Sequence, residues 1–330
     1  MQKRHKQRQF FPFLGLILML AVLAGCGGAE REEVNVRVGS LKGPTSMGIL
    51  FLMDKAERGE TTDSYAFRMA TAADEILPLM VKGDLDIALV PANVAAILYQ
   101  RTQGGVAVID INTLGVLYLV TGTAEVGTVE DLKGKTIYLT GKGTTPEASL
   151  RYVLDANGLT QEDYTLEFKS EPTEVVAMLT EQPEAIGLLP QPFVTAALMQ
   201  NESLQVVLDL NEEWIRTGSA GNSGLVTGVT VVRKAFLEEH PEAVERFLEE
   251  HALSVQSLKE DVDTGAALAV EAGIVAKEPI AKKAIPECNI TCIVGEDMKA
   301  DLSAYLKTLE TFNPELVGGE VPGDDFYYVK

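Results

Sequence analysis

Two pairs of short segments recur along this chain at almost one spacing. VGSLKGPTS (38–46) aligns with YLTGKGTTP (138–146) at an offset of 100, and IALVPANVA (87–95) aligns with IGLLPQPFV (186–194) at an offset of 99. Each segment passes from apolar residues through a turn of Gly, Pro or Thr into a helix start. Two matches in one order and at nearly one period predict two lobes of similar topology.

The rest of the chain fits that plan. From residue 34, short apolar runs alternate with helical periods, the pattern of an α/β fold. VNVRVGS, AFRMAT (66–71), DIALV (86–90), VAVIDI (106–111) and GVLYLV (115–120) read as strands of a first series. KTIYLT, TLEFK, AIGLL and QVVLDL read as strands of a second, and LVTGVTVV (225–232) as one more strand. Everything beyond it reads as helix and has no counterpart before 124, so it is expected to return and pack on the first lobe. The predicted division is lobe I at 34–120, lobe II at 121–224, and a return strand with C-terminal helices at 225–330.

Ligands of open α/β sheets bind outside the carboxyl ends of strands, where helix N-termini offer free N–H groups. Both repeated turns are placed there. Gly43 and Gly143 let the backbone approach a ligand, and Thr45, Ser46, Thr144 and Thr145 can either cap their helices or turn a hydroxyl to a ligand. We read GPTS and GTTP as two jaws of one clamp. Asn93 and Gln191 follow the paired prolines Pro91 and Pro190 and add amides that donate and accept, although Asn93 could simply cap its helix. Thr71 ends a strand near the same site. Trp214, the only tryptophan, sits before a loop rich in Gly, Ser and Asn, as core or as a ligand platform. Arg216 is the only cation of that loop.

Charge narrows the partners. The chain carries 28 basic and 48 acidic residues; four of the basic ones (Lys3, Arg4, Lys6, Arg8) and none of the acidic ones fall in the first 25, which leaves 24 against 48 in the remainder. A surface this acidic repels phosphate backbones, so no nucleic-acid partner is expected. The basic start, the apolar run FFPFLGLILMLAVLAG and Leu23-Ala24-Gly25-Cys26 read as a signal peptide over 1–25. Its end resembles the lipobox of bacterial lipoproteins, which implies that Cys26 is lipidated and that 26–33 form a lipidated Cys and tether. An ordinary signal peptide with an incidental cysteine is the other reading. Cys288 and Cys292 are four residues apart and could form a small disulfide or remain two thiols. No metal site is expected there, since no other ligands lie nearby in sequence. HExxH, GxSxG and a complete P-loop are missing, so neither a catalytic constellation nor a cofactor is implied.

Together these features resemble the substrate-binding lipoproteins of ABC importers, in the nitrate/sulfonate/taurine and thiamine-precursor binding group. The similarity runs over 34–330 and is carried by TAADEILPLMVKGDLDIALVPANVA (71–95), INTLGVLYLV (111–120), VEDLKGKTIYLTGKGTTPE (129–147) and HPEAVERFLEEH (240–251). The resemblance implies a type II periplasmic-binding fold: two α/β lobes, two crossover hinge strands and a small-molecule ligand in the cleft. It further implies a monomer, lipid-anchored outside the cytoplasm, that hands its ligand to an ABC permease and ATPase. The repeated loops supply few cations, which leaves a neutral polar or heteroaromatic ligand beside an anionic one. Enzymes of menaquinone-precursor synthesis share the fold, and a sensory lipoprotein is a further alternative. If Cys26 is the anchor, Cys26→Ser should leave the protein out of the membrane fraction; a mutant that partitions with membranes as wild type does would contradict the lipobox reading.

Overall fold

The computed structural model describes residues 33–218 and 224–330. The signal peptide, Cys26 and nearly all of the expected tether lie outside the described residues. Five strands open the chain: β1 (Asn35–Leu41), β2 (Ser64–Ala70), β3 (Ile87–Pro91), β4 (Val106–Thr113) and β5 (Leu117–Thr121). They are followed by β6 (Thr136–Leu139), β7 (Thr165–Phe168), β8 (Ile186–Pro190), β9 (Gln205–Asp209), β10 (Gly228–Arg233) and β11 (Ile290–Ile293). These form a six-stranded sheet of order β11-β4-β10-β3-β1-β2 and a five-stranded sheet of order β7-β6-β8-β5-β9. Each sheet is the centre of one lobe.

Helices cover both sheets. In the first half they are α1 (Pro44–Met47), α2 (Leu50–Glu57), α3 (Ala73–Lys82) and α4 (Ala92–Arg101). The second lobe has α5 (Thr145–Ala156), α6 (Pro172–Glu181), α7 (Phe193–Gln200) and α8 (Leu210–Arg216). The tail contributes α9 (Lys234–Glu239), α10 (Pro241–Glu260), α11 (Val262–Glu271), α12 (Glu278–Ala284) and α13 (Gly295–Phe312). Among the described residues, no helix is long and apolar enough to cross a membrane.

The duplication is visible in strand register. Val38 of β1 faces Phe67 of β2 and Ile87 of β3; Ile137 of β6 faces Leu166 of β7 and Ile186 of β8, so every partner lies 99 residues on. α3 and α6, at 73–82 and 172–181, keep the same interval. In both lobes the fourth position of the sheet is an antiparallel strand arriving from the other half, β10 in one and β5 in the other. That arrangement is the type II periplasmic-binding fold.

Two expectations change. β5 pairs with β8 and β9, not with the first sheet. The apolar run 111–120 is therefore split at 114–116, and the crossover lies a few residues earlier than a boundary at 120. The region around Cys288 and Cys292 read as part of the helical tail, yet β11 adds an edge strand to β4. At four residues it is too short to show a period.

The two crossovers lie side by side. Thr227 N donates to Thr113 O at 3.0 Å, and Leu225 N to Asn211 Oδ1 at 2.8 Å. A Cβ on Gly115 would fall 2.5 Å from Asn211, so only glycine lets the first crossover pass beneath that side chain.

Each sheet has apolar residues on both faces, as strands covered by helices on two sides require. Ile87, Leu89, Ile109 and Val232 pack with Phe247, and Val90, Val108 and Val231 join the large core with Leu98 and Leu302. Burying each such Val, Leu or Ile stabilises by roughly 1.5–3 kcal/mol. An ion-paired carboxylate ties the middle of the first sheet. Asp86, 1% exposed, accepts from Arg37 Nε (2.7 Å) and Nη2 (2.6 Å) and from Arg233 Nη2 (2.7 Å), linking β1, β3 and β10. Burial pushes its pKa up, but the guanidinium hydrogen bonds outweigh burial and hold it below the ordinary carboxylate value. A depressed folded-state pKa contributes stability above the unfolded value near ~4, and that stability is lost as pH falls through the folded value. Asp86→Asn should therefore lower stability at neutral pH by about 2 kcal/mol, less than for a fully buried pair because both arginines reach solvent. In urea titrations the gap should narrow below about pH 4; an equal gap at acid and neutral pH would contradict this account.

Candidate functional site

A cleft of about 1060 Å³ lies between the lobes. Its walls come from the carboxyl ends of β1, β2 and β3 on one side and of β6, β7 and β8 on the other, with Thr71 and Ser170 at matching places 99 residues apart.

The two repeated turns face this cleft, though not with every residue. Gly43 has φ 149° and Gly143 has φ 76°. A Cβ at either would meet no atom within 4 Å, so open space lies beside the backbone. Thr45 and Thr144 border the cleft. Ser46 and Thr145 do not: both are fully buried. Ser46 Oγ donates to Leu41 O at 2.5 Å and holds its own turn. Thr145 Oγ1 donates to Asn93 Oδ1 at 3.3 Å across the interface of the lobes. Ser46 and Thr145 therefore serve the fold.

The expected hydroxyl caps are also replaced. Neither α1 nor α5 has a side-chain cap from its N-cap residue, Gly43 or Thr144. Thr144 Oγ1 instead donates to Gly141 O at 2.6 Å. Carboxylates from the following turns fill the amides. Glu75 accepts from Thr71 N (3.0 Å) and Ala72 N (3.1 Å), and Glu147 accepts from Gly143 N (2.7 Å) while pairing with Arg151 at 2.7 Å. Helix N-termini attract anions, but here the chain's own anions already occupy part of that field.

The walls carry both charges: Asp74, Glu75, Glu147, Glu171 and Glu315 border the cleft, as do Arg151 and Lys169. Lys42 and Lys142 precede the two turn glycines, and Arg101 lies at the end of α4; all three border the cleft. Among the described residues none of the three has an ion-pair partner, and the Lys142 ammonium stands 5.7 Å from the centre of the Phe168 ring. Thr227, on the return crossover, also borders the cleft, and its buried hydroxyl finds no partner among the described residues. Sequence reasoning missed the lysines, though the KG in both repeats was a usable signal, and missed Thr227, which carried none.

Asn93 is fully buried at the start of α4. Its Nδ2 donates to Gly143 O (3.0 Å) and to Leu316 O (3.1 Å), so it joins the lobes behind the cleft wall. Gln191 is buried as well, accepts from Thr195 N (3.3 Å) and Oγ1 (2.9 Å), and leaves the wall to Pro190 and Phe193. Trp214 is core: it is fully buried, with its ring 4.5 Å from Tyr152 and 5.2 Å from Tyr305. Arg216 pairs with Glu212 and Glu213 outside the cleft. Cys288 and Cys292 are both free thiols, and burial pushes the Cys288 thiol up to about 12. Among the described residues no histidine or cysteine borders the cleft.

The same fold recurs among proteins of known structure. A family model described as NMT1/THI5 like matches residues 102–261. An ABC transporter structure from Parabacteroides distasonis is 24% identical, covering 91% of this chain and 100% of its own, with a TM-score of 0.73. The periplasmic aliphatic sulphonate binding protein SsuA from Escherichia coli is 16% identical over 89% of this chain and 91% of its own, with a TM-score of 0.70. The alkanesulfonate-binding protein SsuA from Xanthomonas axonopodis pv. citri, bound to MOPS, is 16% identical over 88% and 96%, with a TM-score of 0.68. No curated protein sequence matches the chain.

Proposed function

We propose that this chain, with its type II periplasmic-binding fold and its NMT1/THI5-like residues 102–261, is the substrate-binding lipoprotein of an ABC importer. It works as a monomer, anchored outside the cytoplasm through Cys26, and delivers its ligand to a permease served by an ATPase. The observation that carries the reading is the cleft itself: two lobes built on one register, joined by two adjacent crossovers, with equivalent turns facing each other. A ligand touching both turns makes more contacts when the lobes are together, and only that differential affinity can shift the equilibrium between open and closed forms. The closed form is what the permease recognises.

The ligand is a small polar molecule with an anionic group. Lys42 and Lys142 stand beside the two turn glycines and, like Arg101, have no ion-pair partner among the described residues, which sets them apart from the wall's paired Arg151, and sulfonates are the ligands named for two of the similar structures. Thr45, Thr144, Thr71 and the unpaired Thr227 hydroxyl supply neutral hydrogen bonds. Binding without turnover is favoured over an enzyme because two of the similar structures are named as binding proteins. A sensory lipoprotein would bind in the same way yet need no permease.

Isothermal titration with short alkanesulfonates, nitrate, carboxylates and aminopyrimidines tests the ligand class. An anion should bind, and Lys42→Ala and Lys142→Ala should each weaken it by about tenfold or more, as loss of one charge-assisted hydrogen bond implies. Small-angle scattering should show compaction at saturation. If only one of the two lysines matters, a single lobe holds the ligand and the clamp fails. Binding of an aminopyrimidine, unchanged in both variants, would overturn the anionic class.

A further inference from the structure

A second polar cluster lies apart from the cleft walls. Asp110 of β4, His251 of α10 and Cys292 of β11 each bring one donor atom within 4.8 Å of the others. The sequence showed no metal-ligand cluster because these residues come from three separate elements. We propose that they form a transition-metal site suited to Zn²⁺, with carboxylate, imidazole and thiolate as its three protein ligands.

The surroundings orient the donors. Asp110 and His251 are both fully buried. Asp110 Oδ1 accepts from Thr230 Oγ1 at 2.9 Å, and Asn112 Nδ2 in turn donates to that threonine at 3.2 Å. Asp110 Oδ2 lies 3.2 Å from His251 Nδ1. Such outer hydrogen bonds fix the ligands of metal sites. No lysine or arginine of the described chain pairs with Asp110; its side-chain partners are Thr230 and His251. A buried carboxylate so weakly compensated is costly, and a dication removes that cost. His251 Nε2 has no partner and faces Gly48, where a Cβ would lie 2.9 Å away. Its Nδ1 edge is therefore the one turned to polar groups.

Geometry and access also fit. Zinc bonds of about 2.0–2.3 Å put tetrahedral donors roughly 3.5 Å apart, so the cluster must contract by about 1 Å. Cys292 is the partly exposed member. It forms part of the wall of an outer pocket of about 390 Å³ together with Lys259 and Glu260. Metal enters there, and a water completes the fourth position. The thiol proton leaves to solvent as the sulfur–metal bond forms, and the proton between His251 Nδ1 and Asp110 Oδ2 moves to Nε2 so that Nδ1 can ligate.

Full-length protein without an affinity tag, stripped with chelator and dialysed against Zn²⁺, should retain one zinc per chain by elemental analysis. Co²⁺ in its place should give a thiolate-to-cobalt charge-transfer band. Cys292→Ser should abolish the band and weaken zinc retention at least tenfold, with an unchanged circular dichroism spectrum. Zinc should raise the unfolding temperature of the wild type and not of Cys292→Ser. His251→Gln should behave like Cys292→Ser in retention; should it fail to fold, the cysteine variant decides alone. Wild type that retains no zinc, or Cys292→Ser that retains it equally, would overturn the site.

Discussion

The side-chain amide of Asn93 holds the two lobes in register. Its Nδ2 serves the Gly143 and Leu316 carbonyls, and its Oδ1 accepts from Thr145. A buried amide left with one group unpaired costs roughly 1–3 kcal/mol, so the position of the GKGTTP turn is dictated from the opposite lobe. Gly143 is thereby fixed at both backbone groups, its carbonyl by Asn93 and its amide by Glu147. Its role is to leave open space beside a pinned backbone rather than to offer a free N–H.

The tail helices complete that union. α13 belongs to the half that returns from lobe II, and its Tyr305 meets Trp214 of α8 and lies 3.1 Å from Ser149 Oγ of α5. Tyr152 meets the same tryptophan at an interplanar angle of 52° and Phe312 edge-on at 5.8 Å. These aromatic contacts, worth about 0.5–1.5 kcal/mol per pair beyond their burial, put a packed pivot beside two strand crossovers. The arrangement of the lobes thus has its own stabilising contacts, and a ligand needs to supply only the remainder.

Much of this plan was legible in the sequence because duplication repeats a period. The strand-turn-helix segments at 38–46 and 138–146 lead into the two turns that border the cleft, and the sheets repeat in register at 99 residues, one fewer than the offset of those segments. What was not legible is which way single residues face. Thr45 and Ser46 are adjacent and both donate to Leu41 O, but consecutive helical residues point about 100° apart, so only Thr45 borders the cleft. Trp214 stood beside a polar loop, yet α13, ninety residues later, buries it; no local pattern reports such a contact. Asp110, His251 and Cys292 were each ordinary in their own segments and became a cluster only through the sheet. Lys42 and Lys142 were missed because free cations can be told from paired ones only when every carboxylate has been placed.

The central claim is that a small molecule is held by both lobes at once. Native mass spectrometry of gently purified protein tests it most directly, comparing wild type with Thr45→Ala, Thr144→Ala and the double variant. The account predicts a non-covalent mass excess that disappears on unfolding, with occupancy reduced by either single change and further by both. The same excess, retained at wild-type occupancy in the double variant, would contradict it.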